Sequence, residues 1–127
     1  MKQIAILIAL ALLLLAAFMY FNSSDAEKAY YEALSNFTYV EDVADEHKAF
    51  TRIDKSFSGD CEDFAFTLQL QIGGEVWAFT HNDNVNHAAL VLNGMVYDSL
   101  RKHPILINDY PKHKLYKMKF AGELIAN

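Results

Sequence analysis

The dipeptide Asn93-Gly94, set between two runs rich in branched and aromatic residues, constrains this chain more than any other feature. Asn-Gly is the preferred pair for a two-residue hairpin turn, because both central residues must take positive φ. It predicts one strand over His87–Leu92 and a second over Met95–Leu100, with Leu92 facing Met95, Ala89 facing Asp98 and His87 facing Leu100. Side chains alternate along a strand, so His87, Ala89, Val91, Val96, Asp98 and Leu100 fall on one face. His87 and Asp98 then become diagonal neighbours, roughly 7 to 8 Å apart by backbone, and the small Ala89 leaves room for an imidazole to lean on a carboxylate. Each alone reads as an ordinary surface residue. Together, among apolar neighbours, they form a polar pair that needs a third partner.

The candidate is Cys61, the only cysteine, within GDCEDFAF at Gly59 to Phe66. A lone cysteine is ordinarily a small buried apolar residue. Here Asp60 suits a helix N-cap, and Cys61, Phe64, Ala65, Leu68 and Ile72 recur on one helical face until Gly73 and Gly74 stop it. The thiol therefore sits on the first turn, where the helix dipole and unsatisfied amides favour thiolate and where those amides, that of Cys61 above all, can hold an oxyanion. Asp60, Glu62 and Asp63 oppose thiolate formation; they read as helix caps or as cation ligands.

Ile4 to Phe21 is a run of eighteen residues without a charge, close to the roughly twenty that a spanning helix needs. No clean A-x-A site follows, which favours an uncleaved anchor over residues 1–24, with secretion after leader cleavage as the alternative. Lys2 before the run places the N-terminus in the cytoplasm and the rest, residues 25–127, outside it, as a periplasmic or otherwise extracytoplasmic domain on an inner or host membrane. Ser24 and Glu27 fit a capping box that opens a short amphipathic helix through Ala26, Tyr30, Leu34 and Phe37. Phe37 to Val40 reads as briefly extended and the charged run from Glu41 to Lys55 as helical turns and loop. Glu75 to Thr80 predicts a strand, His81 to Asn86 a turn, and Ile105 to Ile107 with Leu115 to Phe120 one or two strands more.

Roughly one hundred residues after the leader suit one core, and helices followed by an antiparallel sheet make an α+β domain. The net charge is -5, with twelve acids against four bases from Asp25 to Glu75, so nucleic acid is not expected as a partner. The spaced basic residues of the second half read as a solvated face.

GDCEDFAF, NHAALVL at Asn86 to Leu92 and VYDSL at Val96 to Leu100 together resemble the bacterial transglutaminase-like cysteine proteinases, whose pattern is a G-D-C-E-D-[YF]-A helix start, a strand opening with histidine and a strand ending in aspartate. The resemblance spans Tyr39 to Phe120. It implies a transglutaminase-like, papain-like domain with its catalytic helix packed on an antiparallel sheet, and a bacterial or phage origin. It implies Cys61 as nucleophile, His87 as general base and acid, and Asp98 as the group that orients His87. The activity implied is that of a thiol hydrolase on protein or peptide substrates, cleaving amide bonds through a thioester, with a peptidoglycan amide the next target.

Relatives of this kind also imply calcium at Asp60 and Glu62, residues that capping explains equally well; no other cofactor is required. Two departures stand out: the link between Ile72 and Glu75 is short, and no Trp-Pro precedes Gly59. They suggest the rival reading, a catalytically inactive, membrane-anchored binding module. They also leave the second oxyanion donor open, with Tyr39 either that donor or a core tyrosine. His81 with His87 and Cys61 is a poor zinc pattern, and Asp83 among its asparagines lacks the glycine and distal glutamate of a calcium loop. Trp77 and Phe79 either line a groove or pack on the helix.

Overall fold

The computed structural model describes residues 1–41, 46–80 and 86–127, and the side chains among them except at 19–24 and 86. The Asn93-Gly94 turn forms with φ of 50° and 76°, joining β5 (Asn86–Leu92) to β6 (Met95–Tyr97). The register is Leu92↔Met95, Val91↔Val96 and Leu90↔Tyr97. β6 stops before the expected Ala89–Asp98 and His87–Leu100 pairs. At that point the Asp98 carboxylate accepts the Leu100 amide at 2.9 Å and its carbonyl accepts the Arg101 amide at 3.1 Å. A short polar side chain that bonds its own backbone competes with the ladder and turns the chain away, so Leu100 ends up exposed.

β4 (Glu75–Thr80) pairs antiparallel with β5 and, on its other side, with β8 (His113–Met118); β7 (Ile105–Leu106) joins β6. The result is a five-stranded sheet of order β7-β6-β5-β4-β8. α2 (Cys61–Ile72) packs on the face that carries Val76, Ala88 and Leu90. Phe64, Ala65, Phe66, Thr67 and Leu68 are buried in succession, a wider burial than one amphipathic stripe. Its cause is a second layer over the far side of α2: α1 (Lys2–Asn36), β2 (Lys48–Phe50) and β3 (Phe57–Gly59).

β3 pairs in parallel with β1 (Phe37–Tyr39), and β2 with β9 (Glu123–Ile125). β2 lies within the charged run expected to be loop and helical turns. Ala49 and Phe50 are buried there, the Lys48 amide donates to Asp63 Oδ1 at 2.7 Å, and the Phe50 amide donates to Thr67 Oγ1 at 3.0 Å.

α1 departs most from expectation. It runs unbroken through Ser24, where a capping box was expected to open a separate helix, and its last turns bury Ala26, Tyr30 and Ala33 in the core. Large apolar side chains near its start, Leu7, Leu13 and Leu14 among them, are exposed. Among the described residues, no helix is long and apolar enough to cross a membrane. This overturns the expected N-terminal transmembrane helix and the single-pass placement with an extracytoplasmic domain. The physical reason is that the polar Asn22, Ser23 and Ser24 do not interrupt the helix. The same helix continues through the charged Asp25, Glu27, Lys28 and Glu32 and commits its remaining apolar face to α2.

Candidate active site

On the sheet face away from α2, Phe79, Ala89, Val96 and Tyr110 pack together, and at its end lie two buried polar groups, His87 and Asp98. His87 Nε2 stands 2.7 Å from Asp98 Oδ1. Asp98 Oδ1 also takes the Leu100 amide, and Oδ2 accepts the Tyr110 hydroxyl at 2.6 Å. Burial by itself would push the Asp98 carboxyl up, but the bonds and charge of His87, with Tyr110 and the Leu100 amide, outweigh it and hold this group below the usual carboxylate range. An ionised carboxylate only accepts, so the proton between the two residues belongs to Nε2, and Nδ1 is the basic nitrogen of neutral His87.

Burial first, and Asp98 after it, raise the Tyr110 and Tyr30 hydroxyls well above the ordinary tyrosine range. Both therefore stay donors. The Tyr30 hydroxyl reaches the carbonyls of Asp98 at 2.8 Å and Arg101 at 2.6 Å, tying α1 to the turn that carries Asp98.

Cys61 opens α2. The Asp60 carboxylate caps the helix by accepting the Glu62 and Asp63 amides at 3.2 Å each, and the Asp60 amide in turn donates to Asp63 Oδ2 at 3.1 Å. Gly59 is required by this reciprocal arrangement, because a Cβ there would collide with the Asp63 carboxylate. α2 packs on β5, and the Cys61 thiol lies close enough to the backbone amides of Ala88, the residue after His87, and of Glu62 for both to favour its thiolate. Burial nevertheless pushes the thiol up to about 11, with the Glu62 and Asp60 carboxylates adding to it and the two amides only partly opposing it. The resting group is thus a thiol, contrary to the thiolate that the helix dipole favours. Among the described residues, Cys61 and His87 share no direct hydrogen bond.

The acidic collar is largely accounted for. Asp60 and Asp63 form the cap, and Glu62 Oε2 lies 3.0 Å from His47 Nδ1. Calcium takes six to eight oxygens. Among the described residues, no group of three or more His, Cys, Asp or Glu side chains is gathered as a metal site. Asp60 accepts backbone amides and Glu62 meets an imidazole. The turn at His81 to Asn86, with the zinc and calcium readings that use it, lies in or beside residues 81–85, outside the described residues.

Tyr39 is exposed rather than a core residue; its pairing with Gly59 holds it beside the start of α2. Trp77 packs with the Ala89 cluster on the face opposite α2, with its Nε1 donating to Glu75 Oε2 at 3.0 Å and Lys114 Nζ over its ring. A cleft of about 380 Å³ opens beside His87, walled by Ala78, Tyr116 and Met118 and ended by His47 and Glu62. Sequence reasoning did not find Tyr110 or Tyr30 as partners of Asp98. Tyr30 was read only as an apolar helix position, and Tyr110 follows the short 3-10 turn Ile107–Asp109, where no periodicity marks a buried ring. No protein-family model matches the chain, and no curated protein matches it; the chemistry is read from the residues themselves.

Proposed function

We propose that the chain is a thiol hydrolase of transglutaminase-like type, acting on amide bonds of a protein or peptide, with a peptidoglycan amide the next target. The observation that carries the reading is the buried His87–Asp98 hydrogen bond, set on the strand that packs against the helix Cys61 opens. Cys61 attacks the carbonyl carbon while His87 Nδ1 takes the thiol proton, so no preformed thiolate is needed. The oxyanion is held by amides at the start of α2, where the cap uses those of Glu62 and Asp63 and spares that of Cys61. The C–N bond then breaks, His87 returns the proton to the leaving amine, and water, deprotonated by His87, cleaves the thioester to a carboxylate and the free thiol. An amine in place of that water would make the reaction an acyl transfer.

The high resting pKa of the thiol favours a second reading, a binding module that keeps these residues without turnover. Iodoacetamide labelling separates the two. The hydrolase requires His87→Ala to slow labelling of Cys61 by at least about tenfold, a fraction of what a general base supplies. Equal rates in the two proteins would leave only the binding module.

A further inference from the structure

We infer that Tyr110 is a positioning residue, whose hydroxyl pins the Asp98 carboxylate so that Oδ1 faces His87 Nε2 and the imidazole keeps its proton on that nitrogen. The inference rests on the thiol-hydrolase reading and extends it to a residue outside the Cys61, His87 and Asp98 set. The torsion that turns a carboxylate is broad and nearly two-fold. Asp98 held through one oxygen could present either oxygen, at varied angles, to His87. Instead its two oxygens are bonded differently: Oδ1 takes Nε2 and the Leu100 amide, while Oδ2 takes the Tyr110 hydroxyl at 2.6 Å. Three donors in different directions leave the carboxylate plane no freedom.

The Tyr110 ring is fixed independently, edge-on to Phe79 with centroids 4.8 Å apart. Position is therefore set by the apolar cluster, and the hydroxyl delivers it to the acid. The titratable and charged groups around this carboxylate are His87 on β5, Tyr110, Arg101 after β6, Tyr30 on α1 and Cys61 at the head of α2. Among the described residues, only His87 and Tyr110 bond the carboxylate with their side chains.

The test uses the full chain with ¹³C-labelled aspartate, the Asp98 signal being assigned by its loss in Asp98→Asn. In Tyr110→Phe, which keeps the ring on Phe79, the Asp98 carboxyl titrates at higher pH than in the unaltered protein, because a bond that stabilises the anion is gone. Cys61 labelling by iodoacetamide slows about tenfold, as expected for losing a hydrogen bond to a charged group. Phe79→Leu disturbs the packing but keeps the hydroxyl, and moves the Asp98 titration less than Tyr110→Phe does. Should Tyr110→Phe not fold, 3-fluorotyrosine at position 110 strengthens the donor instead and moves the Asp98 titration down. An Asp98 titration unmoved by Tyr110→Phe, or moved equally by Phe79→Leu, reduces Tyr110 to a packing residue and overturns the inference. Labelling that slows in His87→Ala but is unchanged in Tyr110→Phe overturns it while leaving the hydrolase standing. Labelling unchanged in His87→Ala removes the hydrolase and the positioning role with it.

Discussion

Cys61 is held between opposing influences. Two nearby amides favour its thiolate, yet burial and the adjacent carboxylates of Glu62 and Asp60 win and push the thiol up to about 11. Each pH unit below that costs about tenfold in thiolate, and iodoacetamide labelling should keep rising past about pH 10, where an ordinary cysteine, half ionised near about 8.5, has levelled off. A rate–pH profile with its midpoint near about 8.5 would contradict the burial argument. Removing one of the opposing charges acts in the predicted direction too: Glu62→Gln should speed labelling at pH 7. Gly59 is a second residue whose role is local and testable. An alanine Cβ would displace the Asp63 carboxylate from the Asp60 and Lys48 amides, so Gly59→Ala should cost about 2 kcal/mol or more in denaturant unfolding, the scale of two disrupted buried hydrogen bonds. That GDCED starts a helix was legible because N-cap chemistry is local; that Asp63 also holds β2 was not, since its partner Lys48 lies in a run without periodicity.

At the scale of elements, α2, β4, β5 and the hairpin register were readable because each is long enough to show a period or carries an unambiguous turn. The short strands β2, β3, β7 and β9 span two or three residues each, too few for alternation to appear. α1 was misread at Ser24 for a physical reason: a capping box stabilises a helix start only if the chain before it is not already helical. The hairpin makes its own prediction. Gly94 sits at φ 76°, and forcing an alanine there costs about 1 to 2 kcal/mol. Gly94→Ala should therefore lower the denaturation midpoint and weaken the His87–Asp98 pairing beyond the turn, seen as slower Cys61 labelling. Of the site, the His87–Asp98 partnership could be read from register alone. The turn at Asp98 that shortens β6 and brings Tyr110 to it could not, because it depends on contacts from α1 and from the segment after β7.

For the molecule as a whole, two buried aspartates give stability opposite dependences on pH. Asp98 is held below its ordinary 3.8, so its contribution is complete above that value and is lost as pH falls through its depressed folded pKa. Asp63 is pushed above 3.8, chiefly by burial and against the bonds from the Lys48 and Asp60 amides. Its contribution is complete below about 3.8 and fades as pH rises through its raised folded value. Asp98→Asn should then flatten the acid loss of stability in denaturant melts below about pH 4, while Asp63→Asn should reduce the decline above about pH 4. Identical pH profiles for the two variants would show that neither carboxyl titrates as described.

The hydroxyl of Tyr30 bonds carbonyls 68 and 71 residues further along, and Tyr110 is the last side chain to reach Asp98. During synthesis from the ribosome, Cys61 emerges well before the residues that complete its surroundings. A chain cut before residue 110 therefore leaves Asp98 Oδ2 without its phenolic donor, however completely the segments ahead of the cut have folded.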